Sequence, residues 1–217
     1  MRVALIGATG LTGSALLPML LEDGHEVEAL VRRDALPPRL RLRVHVAEAR
    51  EWPRIAARLG AEAAVSALGT TTRKAGSEAG FRAVDRDMVL AFARAAREAG
   101  ARRFVTVSSV GADAESASFY LRLKAETDEA LAALGFERLD IFRPGLLRGA
   151  RGPDRRLGER VGIALSPLVN LALRGPLSRF AAIDADAVAS AIARCLRQEE
   201  AGTFVHHNRE IRRLGVR

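Results

Sequence analysis

Three glycines spaced Gly7-x-x-Gly10-x-x-Gly13 constrain this chain more than any other feature. They follow Arg2-Val3-Ala4-Leu5-Ile6, a short apolar run of strand character, and precede Ser14-Ala15-Leu16-Leu17, which reads as the opening of a helix. Glycine tolerates positive φ and carries no Cβ to keep a phosphate away. The free N–H groups of a helix start then point at that phosphate. Strand, glycine turn and helix together form the unit that binds the pyrophosphate of a dinucleotide. Small residues also occur where a helix merely packs close to a strand. The strand–helix context favours the phosphate reading, with Gly7, Thr9, Gly10, Leu11, Thr12 and Gly13 as the binding turn.

The rest of the chain supports an enclosing fold. Its 217 residues are 48% apolar, enough for the core of one α/β domain over 1–217. A single cysteine excludes an intrachain disulfide and suits a reducing compartment. Met1 leads directly into the first apolar run, leaving no signal peptide, and the expectation is a cytoplasmic protein. The late apolar stretch Val161 to Leu173 is too short for a membrane span and contains Pro167, so stable membrane insertion is not expected. The net charge of +8 invites a nucleic-acid reading, but the basic residues are interleaved with acids and aromatics make up only 5%. The expected partner is a small molecule, bound by a monomer or homodimer.

Apolar β-rich runs alternate with helical patterns along the chain. Strands are predicted at about 2–6, 26–31, 39–46, 63–68, 103–108, 138–142 and 203–206. Helices are predicted at about 11–23, 51–59, 81–99, 119–134 and 185–197. The implied fold is α/β, a doubly wound, mostly parallel sheet. Pro18 cannot donate to the carbonyl of Ser14, so a local kink is expected inside the first helix. Residues 146–183 break the alternation, and an irregular insert after a strand's carboxyl end suits the wall of a substrate pocket.

Tyr120 and Lys124 form Y-x-x-x-K on a predicted helix, which puts both side chains on one face. An ammonium beside a phenol favours phenolate and tunes tyrosine for acid–base work. Tyr120 is the only tyrosine in the chain. Ser108-Ser109, at the end of the fifth strand, offers a hydroxyl to polarise a carbonyl oxygen.

Together, Gly7–Gly13, Ser108-Ser109, Tyr120, Lys124 and Arg143-Pro144-Gly145 resemble the short-chain dehydrogenase/reductases. Leu68-Gly69-Thr70-Thr71, Lys74-Ala75-Gly76, Val84-Asp85-Arg86-Asp87, Gly111-Ala112-Asp113 and Phe142-Arg143-Pro144-Gly145 narrow the resemblance to the atypical subgroup of the oxidoreductase HTATIP2 (TIP30/CC3) family. The resemblance implies a Rossmann fold, an NADP(H) cofactor and a Ser109–Tyr120–Lys124 site. In it tyrosine is the acid/base, lysine holds the nicotinamide ribose and serine holds the substrate oxygen. Ser109 matches the family's catalytic position, while Ser108 ends the strand. Cofactor contacts would extend to Leu68, Gly69, Thr70, Ser108, Tyr120, Lys124, Arg143 and Pro144. Asp85 stands where many extended members carry asparagine, a departure that weakens a four-membered proton relay.

Val31-Arg32-Arg33 ends the second strand without the acid that would bind a ribose diol, and a guanidinium there suits a 2′-phosphate. Asp34 competes with that reading, and Glu48 is a second candidate near the adenine. Cys195 shares the apolar face of the late helix with Val188 and Ile192 and reads as core. His206-His207 would point to opposite faces of a strand, so no metal site is expected. Arg155, Arg156 and Arg160 read as a solvated face, and Arg73 and Lys74 as either loop solvation or a phosphate or substrate contact. The resulting expectation is an NADP(H)-dependent oxidoreductase acting on a small or medium carbonyl or alcohol. The alternative is an NADPH-binding sensor or scaffold that regulates a protein partner without turnover.

Overall fold

The computed structural model describes residues 1–149 and 180–215. The stretch 150–179, which carries most of the expected pocket wall and Arg155, Arg156 and Arg160, lies outside them. Seven strands form one sheet: β1 (Arg2–Ile6), β2 (Glu26–Val31), β3 (Leu42–Val46), β4 (Ala63–Ser66), β5 (Arg103–Val107), β6 (Arg138–Arg143) and β9 (Gly202–His207). Between the last two in sequence lie the short strands β7 (Leu147–Arg148) and β8 (Ile183–Asp184), which pair with each other. The sheet order is β3-β2-β1-β4-β5-β6-β9, with every neighbouring pair parallel. The chain therefore winds outward from β1 to β3 and returns to β4 on the other side of β1. That reversal is the switch point of a doubly wound sheet, outside whose strand ends a crevice opens.

Helices cover both faces. On one side α1 (Leu11–Glu22), α7 (Ala185–Cys195) and α8 (Asn208–Gly215) bury Leu16, Leu20, Val188, Ile192 and Ile211 against Val3, Leu5, Val27, Val65 and Val105. On the other, α2 (Trp52–Ala56), α5 (Val89–Glu98) and Leu131 of α6 (Phe119–Ala132) pack on Ala4, Ile6, Leu30, Ala64, Phe104 and Ile141. Odd and even strand residues divide between the two cores, as the period of two requires. Burial on both sides explains why β1 is a continuous apolar run rather than an alternating one.

The long helix predicted at 81–99 is instead compound. Two short helices, α3 (Thr72–Ala75) and α4 (Glu78–Arg82), precede a π-helical turn, Ala83–Met88, that leads into α5. In α1, the helix runs from Leu11 through Pro18 to Glu22 as one element, with Gly10 at its N-cap and Gly13 inside its first turn. Cys195 is buried in the core as expected. Among the described residues, no helix is long and apolar enough to cross a membrane.

The charged tail after β9 forms α8, which the sequence pattern does not announce because its few apolar positions are set among arginines. Asn208 ties it down: its Oδ1 accepts the Gly145 amide at 2.8 Å and its Nδ2 donates to the Ala181 carbonyl. A buried ion network lies beside it. Arg138 Nε and Nη2 donate to Asp140, at 2.7 and 2.9 Å, and His206 Nε2 binds Asp140 Oδ1 at 2.8 Å. His206 Nδ1 lies 3.4 Å from Glu210 on α8. Burial opposes charge on His206, but its bonds to Asp140 and Cys195 prevail and raise its pKa from 6.5 to about 10.

A histidine whose pKa is higher folded than unfolded stabilises fully below its unfolded value, and that contribution is lost as pH rises through the folded one. The urea midpoint should therefore fall between about pH 6.5 and pH 10. His206→Gln should flatten that slope and, because Arg138 still pairs Asp140, cost only the lost charged hydrogen bond, about 1.5–3 kcal/mol at neutral pH. An unaltered slope in the variant would contradict this role for His206.

Candidate active site

The glycine turn is held by contacts that no other residue permits. Gly7 has φ +82°, and a Cβ there would collide with the Ala67 backbone at the end of β4. A Cβ on Gly13 would overlap the Gly7 carbonyl, so α1 lies directly on the turn. Gly10 N donates to Gly7 O at 2.9 Å and Ser14 N to Gly10 O at 2.9 Å. The amides of Leu11, Thr12 and Gly13 precede the first intrahelical bond. Gly10 offers them no side-chain cap, and the first turn holds no acid. This is a helix N-terminus left open for an anion.

That N-terminus forms the floor of a cleft of about 460 Å³ at the carboxyl ends of β1, β4 and β5. Thr9 to Thr12 line it from the turn, and Ala67 to Thr71 from the loop after β4. Val107 and Ser108 enter from the end of β5, Tyr120 and Lys124 from α6, and Lys74, Asp85 and Leu147 from other walls. Leu68, Gly69 and Thr70, expected from sequence, are among them, while Gly7 and Gly13 serve the packing beneath.

Lys124 is almost fully buried, and its Nζ binds Asp85 Oδ1 at 2.7 Å. The second oxygen of Asp85 accepts the Thr70 amide at 2.8 Å. Asp85 lies within the π-helical turn, a local widening that is frequent at functional sites. Tyr120 is half-buried, with its ring 5.4 Å from that of Phe81. The i, i+4 spacing thus brings Tyr120 and Lys124 to one cleft.

Of the serine pair it is Ser108, not Ser109, that lines the cleft. The Ser109 hydroxyl is turned to the Val110 carbonyl at 3.2 Å. Consecutive residues leaving a strand point to opposite sides, so only one of the pair can face the ligand. Ser108 Oγ donates to Asp128 Oδ2 at 2.9 Å, and the same oxygen accepts Arg143 Nε at 2.9 Å. Burial raises the Asp128 pKa above the ordinary carboxylate value, while Arg143, Ser108 and Lys124 pull it down. Asp128 was not anticipated, although it follows Lys124 by four residues on the same helix face.

The remaining sequence candidates are not cleft-lining groups. Arg143 faces Asp128, and Pro144, buried behind it, accepts the Val110 amide through its carbonyl. Arg32 and Arg33 are exposed after β2, and Asp34 and Glu48 are exposed as well. His206 is buried and His207 exposed, on opposite faces as expected. Asp140, Cys195 and His206 bring three potential ligand atoms within 4.8 Å of one another. Both Asp140 oxygens already bind the Arg138 guanidinium, which favours an ion network over a cation site.

A family model described as NAD(P)H-binding matches residues 7–162. The chain is 40% identical over 165 residues to protein fmp52, mitochondrial, of Aspergillus fumigatus, covering 71% of this chain and 70% of that one. It is 38% identical over 173 residues to FMP52, mitochondrial, of Eremothecium gossypii, covering 78% and 77%. The expected cytoplasmic location is overturned by these relatives, which are named as mitochondrial proteins. Its fold resembles the Bordetella bronchiseptica enzyme WbmH in complex with NAD⁺, at 16% identity and TM-score 0.69 over 95% of this chain and 75% of that one. It also resembles the human epimerase family protein SDR39U1 with NADPH, at 22% identity and TM-score 0.66 over 95% and 74%.

The Gly13–Gly7 contact leads to a direct expectation. Gly13→Ala forces the start of α1 away from the turn, an overpacking cost of about 1–3 kcal/mol. NADPH affinity, followed by its fluorescence, should fall about tenfold or more. Wild-type affinity in this variant would show that the helix start does not hold the pyrophosphate.

Proposed function

The chain belongs to the NAD(P)H-binding family, and on that premise we propose that it is an NADP(H)-dependent oxidoreductase acting on a small or medium carbonyl or alcohol. The observation that carries this reading is the convergence of Tyr120, Lys124 and Ser108 on one cleft with the open N-terminus of α1. The resemblance to the HTATIP2 subgroup of atypical short-chain dehydrogenase/reductases supports the same reading.

The residues present fit a dinucleotide. The close-packed glycines leave room for a pyrophosphate over Leu11, Thr12 and Gly13, whose amides would bind it. Thr9, Gly10, Leu68, Gly69 and Thr70 would flank it. When bound, NADP(H) supplies the hydride. Arg32 and Arg33, beyond the end of β2, would hold a 2′-phosphate through charge-assisted bonds and set the preference for NADP(H).

Tyr120 would donate the proton to the substrate oxygen in reduction and accept it in oxidation. Lys124, held by Asp85, would orient the ribose and support Tyr120. Ser108, rather than Ser109, would face the substrate oxygen. Its hydroxyl proton is directed to Asp128, so Ser108 presents lone pairs to the cleft and accepts from a substrate hydroxyl. Donation to a carbonyl then falls chiefly to Tyr120.

Two measurements test the proposal. A panel of aldehydes, ketones and alcohols, followed at the NADPH absorbance, should reveal turnover. Tyr120→Phe should lose about 10²–10⁴ of it while retaining cofactor binding. Ser109→Ala should stay near wild type where Ser108→Ala does not. Unimpaired turnover in Tyr120→Phe would sink the mechanism, and cofactor binding with no turnover on any member would favour the sensor alternative. In parallel, wild type should bind NADPH more tightly than NADH. Arg32→Ala/Arg33→Ala should remove about 1.5–3 kcal/mol per lost phosphate bond, roughly ten- to a hundredfold in affinity. Equal wild-type affinities for the two cofactors would overturn the preference.

A further inference from the structure

We infer that Lys74 is an anion-binding residue of the cleft, receiving either the pyrophosphate oxygens of the dinucleotide or a carboxylate or phosphate carried by the substrate. The inference depends on the proposed cofactor reading, and it concerns a residue outside the Ser–Tyr–Lys set.

Among the described residues, the charges that line the cleft are Asp85, Lys124 and Lys74. Asp85 and Lys124 neutralise each other at 2.7 Å, both nearly excluded from water. Among the described residues Lys74 forms no ion pair, so its ammonium is the uncompensated charge of the cleft. The open end of α1 adds the positive end of a helix dipole, with no acid in its first turn. The walls between them are hydroxyl-rich, with Thr9, Thr12, Thr70 and Thr71 all lining the cleft. Lysine, open amides and hydroxyls form a donor set for anionic oxygens.

Lys74 is also held in place. Its amide and that of Ala75 both donate to the Thr71 carbonyl at 2.9 Å, closing the single turn of α3. The Thr71 hydroxyl accepts the Lys74 amide at 3.3 Å. The preceding residue, Thr70, is fixed by Asp85, the same carboxylate that holds Lys124. Ser77 then caps α4 by accepting the Gly80 amide at 3.0 Å. Lys74 is therefore carried on an anchored turn whose position is tied to the Lys124 side chain, and the long lysine stem supplies the reach into the cleft.

Lys74 is exposed, so its replacement spares the core. Wild type, Lys74→Met and Lys74→Arg are titrated with NADPH and with NADH by fluorescence. Malonate, as a dicarboxylate probe, is then added to each NADPH-loaded protein while the bound fluorescence is read. Lys74→Met is expected to lose about tenfold in one arm, with Lys74→Arg near wild type. An equal loss for NADPH and NADH identifies the pyrophosphate as the anion. Unchanged cofactor affinities with a lost malonate response identify the substrate's anionic group. If wild type binds cofactor and Lys74→Met matches it in both arms, the inference is overturned. If wild type binds neither dinucleotide, the cofactor reading falls and takes this inference with it.

Discussion

The contact between Gly13 and the Gly7 carbonyl sets the position of α1 on the sheet. A side chain at Gly13 would push the helix start away from the turn, and one at Gly7 would strike the Ala67 backbone beyond β4. With both absent, the first turn of α1 comes down beside the loop after β4, where the sheet reverses direction. One steric allowance thus places open amides at the switch point. The cleft follows from it, because the other walls are simply the carboxyl ends of the adjacent strands and the face of α6.

Around that cleft the buried charges are neutralised in pairs. Asp85 meets Lys124 and Asp128 meets Arg143, each at hydrogen-bond distance. Buried pairs of this kind contribute little net stability, but removing one partner leaves a charge stranded in a poor solvent. Their consequence here is geometric. Asp85 joins α6 to the loop after β4, and Asp128 joins α6 to the ends of β5 and β6. The helix bearing Tyr120 is thereby fixed relative to the strands that bear Ser108 and the glycine turn. A proton donor is useful only when its distance from the substrate is set in advance, and in the proposed mechanism these pairs would set it for Tyr120.

Much of this was legible in the amino-acid sequence. The glycine spacing located the cleft floor, and the apolar runs of β1, β2, β4 and β5 announced a parallel sheet because strands buried on both faces leave little room for polar residues. Helical spacing put Tyr120 and Lys124 on one face, and the lone tyrosine, the serine pair after β5 and the family resemblance singled them out. What escaped was pairing over long sequence distances. Nothing in Val84-Asp85-Arg86 signals that Asp85 meets a lysine 39 residues later. The serine that faces the cleft depends on where β5 stops, and one residue at a strand end reverses the side chain's direction. The helix α8 was hidden because its stabilisation comes from Asn208 and Ile211 docking onto elements formed much earlier in the chain. The compound helix after β4 was read as one because a π-helical turn shifts the period by less than the pattern resolves.

The central claim is that one cleft joins the open N-terminus of α1 to Tyr120, with a dinucleotide spanning the two. A crystal structure of the protein with NADPH measures this directly. The account predicts the pyrophosphate against the amides of Leu11, Thr12 and Gly13, and the nicotinamide C4 facing the Tyr120 hydroxyl with Lys124 on the ribose. A nicotinamide directed away from Tyr120, or a cofactor seated elsewhere on the sheet, would contradict it.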